Sequence, residues 1–526
     1  MDPPPSQSHR LSSEFEMVGQ EDLPDFPTPI VVTDRRGKAK WTVSIPADYD
    51  FPLAAREYAD ICSKCHEVAE RVNALHRSRI GGDQLLFPHG QEEEHFVDVH
   101  EAEDAGYLPG SVSIGALLSQ QRDDGDLIGE NKNGLVDRPV CASTMTFVLA
   151  SEDAGLGRTL MLLWMAYATA QNEGRSFFID DTRWAYGKYT NIFEAPPLPG
   201  CRPPLRHEML PCPRRARHLV VSAETAREIL QGTPAESGGP SSSSQASQRA
   251  LFQLAHQGYV ALFHLTKGDA DYVKIRLAEL KDKTKIPRRT ASAGDTTTTT
   301  EAHGVVVGLH VRRGDRHPRE FQYRDSYIPT NVYAERAREV LNRTARARGA
   351  AVDAELARGH ALTVLASDDP MVYESDDLAG GARAQEQIRL AAKASLQQPA
   401  AADRAALHKF VDETFGWEGG FFAAMFFNLG RSTLSAAQAA EASAASSSSA
   451  VATLAPSAET LRLRSLVGRA YMLDLAVLAG ASDAVVCTVS AVGCRLLAVM
   501  MGWEKAFDRR GWVNIDGDFG WSGVDL

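Results

Sequence analysis

The sequence contains no run of 18 or more consecutive apolar residues, so it predicts no membrane-spanning helix. Its first residues, Met1 to Pro5, are polar and proline-rich and lack the apolar core of a signal peptide. Basic residues do not outnumber acidic ones: there are 56 lysines and arginines and 68 aspartates and glutamates. The formal net charge is -12, which argues against a general nucleic-acid binder but allows a local arginine cluster to bind a small anion. Seven cysteines are too few for a disulfide scaffold, although they allow one or two bridges.

The residues that are present are typical of a folded protein. Of the 526 residues, 44% are hydrophobic and 24% are charged, and this length suffices for two or three domains. We predict an N-terminal extension over 1–135, a first domain over 136–300 and a second domain over 301–526. Residues 1 to about 45 lack periodicity, so we expect them to be disordered or loosely packed. Low-complexity runs near 235–248, 296–300 and 435–455 are typical of surface loops.

A helix is predicted over about 50–75, because apolar residues recur there at steps of three to four. It contains Cys62-Ser63-Lys64-Cys65-His66, which matches the attachment pattern of c-type haem. The next methionine that could serve as a distal ligand is Met145, beyond a long polar stretch. We therefore interpret this segment as a helix that carries two thiols rather than as a haem or zinc site.

Strands and helices alternate through the rest of the chain. A strand over 146–150, a glycine-containing loop over 151–157, a helix over 158–172 and a strand over 177–179 form the first unit. The second half predicts strands over 305–309, 362–366 and 484–487, and helices over 330–345, 465–479 and 492–502. This order predicts an α/β protein with two Rossmann-like domains, in which ligands bind beyond the carboxyl ends of the strands.

Two adjacent arginines follow the strand over 305–309. His310, Arg312, Arg313 and Asp315 all lie just beyond its carboxyl end. Adjacent guanidinium groups repel each other unless an anion lies between or beside them. A diphosphate fits this need, because the guanidinium fork matches phosphate oxygens. The alternative is an internal salt bridge between arginine and aspartate, which is common in proteins.

The segment His310-Val311-Arg312-Arg313-Gly314-Asp315 resembles the HxRRGD motif of the alpha-1,2-, alpha-1,6- and protein O-fucosyltransferases, which use GDP-fucose. Further blocks resemble the alpha-1,6 branch. They lie in scattered positions over about 141–526: Asp181 to Tyr186, Glu320, Tyr333, Ala366 to Pro370, Asp474, and Val486 to Arg495. The order of these blocks makes the resemblance more specific than the HxRRGD motif alone.

The resemblance implies an inverting fucosyltransferase that moves fucose from GDP-fucose to a hydroxyl of a glycan or glycoprotein. It implies two Rossmann-like domains in a GT-B-like arrangement, and no metal ion or other cofactor. Arg312 would stabilise the leaving diphosphate, Glu320 would remove the proton from the acceptor hydroxyl, and Asp315 would complete the catalytic motif. The residues expected to bind the donor are His310, Arg312, Arg313, Asp474, Thr488, Ser490, Tyr186, Asp368, Asp369 and Tyr333.

Asp474 lies in an otherwise apolar predicted helix, where a carboxylate is costly unless it is hydrogen-bonded. Guanine offers two donors on one edge, N1–H and the 2-amino group, and a carboxylate accepts both. Adenine offers no such pair, so Asp474 is expected to select guanine. The alternative is a local partner for this carboxylate, such as Arg469 or Arg495.

Asp368 and Asp369 form an acidic pair that is compatible with a divalent metal. The fucosyltransferases that this chain resembles use no metal, because an arginine neutralises the diphosphate. We therefore expect the two aspartates to orient the arginines.

Thr488 and Ser490 end a strand and precede the helix over 492–502, where they either cap the helix or help to bind an anion. The sequence then departs from the alpha-1,6 pattern, since Ala491-Val492 stands where the family has Ser-Gln. This departure favours a catalytically silent relative that binds a GDP-sugar or glycan, whereas the presence of Arg312 and Glu320 opposes it. A further alternative is a transferase that uses another GDP-sugar, such as GDP-mannose.

The resemblance also implies two disulfides, Cys487–Cys494 and Cys141–Cys201, because the matching pairs are bridged in the alpha-1,6 family. Such bridges require an oxidising compartment. The chain would then act in the Golgi or secretory lumen, with an N-terminal anchor preceding Met1. Otherwise it is cytoplasmic and these thiols are free.

Overall fold

The computed structural model describes residues 23–78, 95–109, 127–128, 138–150, 155–231, 244–286, 302–313, 317–347, 354–388 and 456–524. The protein is a mixed α/β structure with two parallel sheets and an N-terminal hairpin. No described helix is long and apolar enough to cross a membrane.

The N-terminal part begins with four elements: β1 (Thr28–Thr33), β2 (Ala39–Ser44), α1 (Ala55–Ser78) and α2 (Val99–Asp104). The prediction of a disordered or loosely packed arm to about residue 45 is wrong for 28–44, because β1 and β2 form an antiparallel hairpin. Asp34 accepts backbone hydrogen bonds from Arg36 and Lys38, and Gly37 adopts a φ of 71°. This turn chemistry, together with the buried Trp41, closes the hairpin over α1.

The first parallel sheet has the strand order β4-β3-β5. Its elements are β3 (Thr144–Val148), α3 (Leu156–Asn172), β4 (Ser176–Asp180), β5 (His218–Val221), α4 (Ala226–Gln231), α5 (Ser244–Leu262) and α6 (Lys267–Lys283). The strand, helix and strand predicted over 146–179 are confirmed within about two residues at each end. Helix α3 is buried almost along its whole length, because it packs against both α5 and the sheet.

The second parallel sheet has the strand order β10-β9-β6-β7-β8. Its elements are β6 (Val306–Val311), α7 (Thr330–Ala347), α8 (Ala354–Gly359), β7 (Leu362–Ser367), α9 (Pro370–Tyr373), β8 (Ala382–Arg383), α10 (Ala458–Ala481), β9 (Ala484–Cys487), α11 (Val492–Met501) and β10 (Trp512–Asn514). The three strands and three helices predicted in this half are confirmed, although α10 begins seven residues earlier than expected. The strands β8 and β10 were not predicted.

Helices cover both faces of this second sheet, which explains why its strands read as continuous apolar runs. Val307 and Leu309 pack on one face with Tyr333 and Val340 of α7. The opposite face joins a larger core that also contains the first sheet, α10 and the N-terminal hairpin.

Three disulfides join described residues. The predicted pairs are confirmed, with Cα–Cα distances of 5.0 Å for Cys141–Cys201 and 5.5 Å for Cys487–Cys494. The third pair, Cys62–Cys212, corrects two expectations: at most two bridges, and a helix α1 with two thiols. Cys65 remains a buried thiol, with its Sγ 4.0 Å from the carbonyl oxygen of Cys212. The partner of Cys62 is 150 residues away, so the local spacing gave no sign of it.

Candidate functional site

The carboxyl ends of three neighbouring parallel strands meet at one edge of the second sheet. His310 on β6 lies beside Ala366 on β7 and Cys487 on β9. The ends of these strands and the residues that follow them therefore lie side by side. They are 310–313, 367–369 and 488–490, which contain most of the predicted donor-binding residues.

Each of the two adjacent arginines pairs with its own aspartate. Nη1 of Arg312 lies 2.9 Å from Oδ2 of Asp368, and Nη1 of Arg313 lies 2.9 Å from Oδ2 of Asp369. The backbone N–H of Arg313 also donates to Oδ1 of Asp368 at 2.8 Å. The internal salt bridges considered from the sequence are thus present, and the two aspartates contact the arginines as expected. A guanidinium carries five N–H donors, so the pair with Asp368 is compatible with a further anionic partner of Arg312.

A cavity lies where β6, β7 and α10 converge, and it brings together four of the predicted residues: His310, Arg312, Asp368 and Asp474. Sequence reasoning missed six other residues that line it: Tyr373, Arg383, Gln385, Ile388, Ala470 and Tyr471. A signal existed for Tyr471, because it precedes Asp474 by three residues and so shares its side of the helix. No comparable signal marked Arg383 and Gln385, because the strand β8, which contains Arg383 and precedes Gln385, has only two residues.

His310 lines this cavity and is buried, and its Nδ1 has no hydrogen-bond partner among the described residues. Burial, followed by the charge of Arg312, lowers the pKa of His310 to about 3, so the ring is neutral near pH 7. A Cβ on Gly493 would lie 2.8 Å from Nε2 of His310 and 2.1 Å from the hydroxyl of Tyr471. Only glycine therefore allows the first turn of α11 to approach His310 so closely.

Thr488 and Ser490 are held by residues that come from other elements. The side chain of Thr488 hydrogen-bonds with that of Tyr333, and burial raises the pKa of Tyr333. The fully buried Asp516 accepts from the backbone N–H of Ser490 at 3.1 Å and from that of Glu320 at 2.8 Å. Asp516 thus connects the turn after β9 to the segment that contains Glu320, and sequence reasoning missed it.

Glu320 is half-buried and precedes a short 3-10 helix over Phe321–Tyr323. Its Oε2 lies against the backbone of Gly517, where an added Cβ would be only 2.9 Å away. Glu320 is not among the residues that line the cavity. Asp315, the third predicted catalytic residue, lies outside the described residues.

Tyr186 is a predicted donor-binding residue that does not line this cavity. It is buried against α10, where a Cβ on Gly468 would meet its ring at 2.8 Å. The loop around it, with Trp184 and Lys188, lines a second cavity of about 450 Å³ against the first half of α10. Tyr186 lines neither this cavity nor the one that contains Asp474.

The two arginines considered as local partners for Asp474 have other partners. Arg469 forms two hydrogen bonds of 2.8 Å with Asp269 of α6. Arg495 donates to the backbone oxygens of Val489 and Gly523. Asp474 itself is one of the residues that line the cavity.

Within the described ranges, one group places three possible metal ligands within 4.8 Å of one another: Glu103, His207 and Glu208. Nε2 of His207 already lies 3.4 Å from Oε1 of Glu103, and Glu208 accepts from the backbone N–H of Leu205. None of the three lines the cavity that contains Arg312 and Asp474.

No protein-family model matches this chain, and no curated protein matches its sequence. Among solved structures, the chain is similar to a NodZ alpha-1,6-fucosyltransferase whose crystal was soaked with GDP-fucose. The sequences are 10% identical, the match covers 68% of this chain and 92% of the other, and the TM-score is 0.25.

Proposed function

We propose that this chain is an inverting fucosyltransferase that moves fucose from GDP-fucose to a hydroxyl of a glycan or glycoprotein. The observation that supports this most is one cavity lined by Arg312 and Asp474, at the carboxyl edge of a parallel sheet. Arg312 offers a fork for the diphosphate and Asp474 offers two acceptors for guanine. Their sequence separation is more than 160 residues, so the fold itself brings these two functions together.

The proposed reaction is a direct displacement. The acceptor hydroxyl attacks the anomeric carbon of fucose while GDP leaves from the opposite side. Arg312 stabilises the charge that develops on the diphosphate, and the backbone N–H groups at the start of α11 add to this stabilisation. Glu320 accepts the proton of the attacking hydroxyl. Asp368 and Asp369 orient the two arginines through the ion pairs described above.

We further propose that the two parallel sheets are the cores of two Rossmann-like domains in a GT-B-like arrangement, with boundaries near residues 135 and 300. The second domain would bind most of the donor and the first would face the acceptor. The three disulfides support an oxidising compartment such as the secretory lumen.

A second candidate function is a silent relative that binds a GDP-sugar without transferring the sugar. It is favoured by Ala491, which caps α11 without a side-chain hydrogen bond at the position where the family has a serine. A third candidate is a transferase that uses another GDP-sugar, such as GDP-mannose.

These candidates are separated by incubating the purified protein with labelled GDP-fucose and GDP-mannose, first alone and then on a glycan array. Label transferred from GDP-fucose to a glycan supports the fucosyltransferase. Transfer from GDP-mannose only would identify a different donor. GDP binding without hydrolysis or transfer would identify the silent relative, and absence of GDP binding would contradict all three.

A further inference from the structure

We infer that Arg383 reads the O6 and N7 edge of the guanine base, while Asp474 takes its N1–H and 2-amino edge. This inference rests on the proposed function, because it assigns a specificity-determining residue to the same donor site. Both side chains line the same cavity, yet they come from different elements: Arg383 from β8 and Asp474 from α10.

Arg383 is held on an aromatic support. The centre of its guanidinium lies 3.6 Å from the ring centroid of Tyr373. The hydroxyl of Tyr373 accepts from the backbone N–H of Ser367 at 2.8 Å and donates to the carbonyl oxygen of the same residue at 3.2 Å. The ring is thereby fixed to the end of β7, and a guanidinium stacked on it keeps its plane and its N–H edge oriented.

The backbone under Arg383 is also fixed. Arg276 of α6 is buried, and its guanidinium donates to the carbonyl oxygens of Arg383 at 2.7 Å and Ala384 at 3.1 Å. The short edge strand β8 therefore presents its side chain from a defined position. Fixed geometry of this kind is what a bidentate contact to a base requires.

The chemistry of guanine matches this pair of side chains. Its O6 and N7 are two acceptors on one edge, which an arginine fork recognises better than any other side chain does. Its N1–H and 2-amino group are two donors on the next edge, which suit the carboxylate of Asp474. Adenine carries an amino group in place of O6, so a donor would face the donors of Arg383. Adenine would therefore lose the contacts with both Arg383 and Asp474.

A different role for Arg383 is a second contact to the diphosphate, next to Arg312. The two roles predict different responses to changes in the base. A phosphate contact is insensitive to the base, so every nucleoside diphosphate would lose the same factor in affinity when Arg383 is replaced. A contact to O6 and N7 is lost selectively when N7 is replaced by carbon.

The test is calorimetric binding of GDP, 7-deaza-GDP, IDP and ADP to the full chain. For the wild type we expect 7-deaza-GDP to bind about tenfold or more weakly than GDP, because it lacks the N7 acceptor. Arg383→Gln should weaken GDP binding by a similar factor and abolish the difference between GDP and 7-deaza-GDP. It should leave the difference between GDP and IDP, which lacks the 2-amino group. Asp474→Asn should abolish the difference between GDP and IDP and leave the difference between GDP and 7-deaza-GDP.

Arg336→Gln is the matched control, because Arg336 is half exposed on α7 and pairs with Glu339 of the same helix. It should leave all four affinities unchanged. Equal affinities of the wild type for GDP and 7-deaza-GDP would overturn the role of Arg383. If GDP itself still bound tightly in that case, the proposed function would stand. An equal loss for GDP and ADP in Arg383→Gln would also overturn it in favour of the phosphate contact. Absence of GDP binding would overturn both proposals.

Discussion

Arg312 is the residue on which the proposed displacement depends most. Its ion pair with Asp368 fixes one edge of the guanidinium, and the side chain lines the cavity. We expect Arg312→Lys to lower kcat/KM for transfer by about 100-fold or more, because an ammonium retains the charge but loses the fork that meets the diphosphate. Steady-state kinetics with GDP-fucose measure this loss. Near wild-type activity in a folded lysine variant would contradict the phosphate role.

Glu320 is expected to act on the acceptor rather than on the donor. Its position is held through its backbone N–H, which donates to Asp516, so Glu320→Gln keeps this contact and removes only the basic carboxylate. We expect turnover to fall by about 100-fold or more with little change in the dissociation constant for GDP. Kinetics and calorimetry on the same preparation separate the two effects. A large and equal loss of GDP affinity would instead make Glu320 a structural residue of the donor site.

Among the individual site residues, those that follow a predicted strand could be identified from the sequence. The residues that contact them from distant parts of the chain could not. His310 and Arg312 were found because a buried strand precedes them. Tyr373 and Arg383 were missed because their meeting depends on how a four-residue helix and a two-residue strand are placed. Asp516 was missed because its two backbone donors lie 26 and 196 residues away in sequence.

The helices α3 and α5 cross with their backbones in close contact. A Cβ on Gly258 of α5 would lie 1.9 Å from the carbonyl oxygen of Trp164 in α3. Gly258→Ala must therefore push the helices apart, although alanine is the better helix former. We expect the free energy of unfolding, measured by urea denaturation, to fall by about 1–3 kcal/mol.

Gly268→Ala provides the control for this prediction. Gly268 lies in the first turn of α6, and no heavy atom of a described residue lies within 4 Å of its added Cβ. Here alanine should stabilise the protein slightly or leave it unchanged, by up to about 1 kcal/mol. A comparable loss of stability in both variants would show that the α3–α5 contact is not the cause.

Helices and strands with a clear apolar pattern in the sequence were predicted well. Strands whose formation depends mainly on their pairing partners were not. Strands β6, β7 and β9 are buried on both faces, so their apolar runs identify them in the sequence. The hairpin of β1 and β2 and the edge strands β8 and β10 carry weaker patterns. Their conformation depends on the neighbours with which they pair, such as α1 for the hairpin and β9 for β10.

In the whole molecule, the three disulfides close loops of very different length. Cys62–Cys212 ties the N-terminal helix α1 to the segment before β5, across a separation of 150 residues. Cys487–Cys494 spans 7 residues and closes only the turn that carries Thr488 and Ser490. Because a bridge restricts the unfolded chain more when its loop is longer, the first bridge should contribute about 5 kcal/mol and the second about 2 kcal/mol to stability.

Removal of each bridge should therefore have a different consequence. We expect the double variant Cys62→Ala/Cys212→Ala to lose more unfolding free energy than Cys487→Ala/Cys494→Ala, as measured by urea denaturation. The second variant should instead lose more GDP affinity, because its bridge shapes the turn at the proposed diphosphate site. Calorimetry with GDP under conditions where both variants are folded measures this loss. Unchanged GDP affinity in Cys487→Ala/Cys494→Ala would show that the turn keeps its shape without the bridge, and that this disulfide stabilises the fold without a role in donor binding.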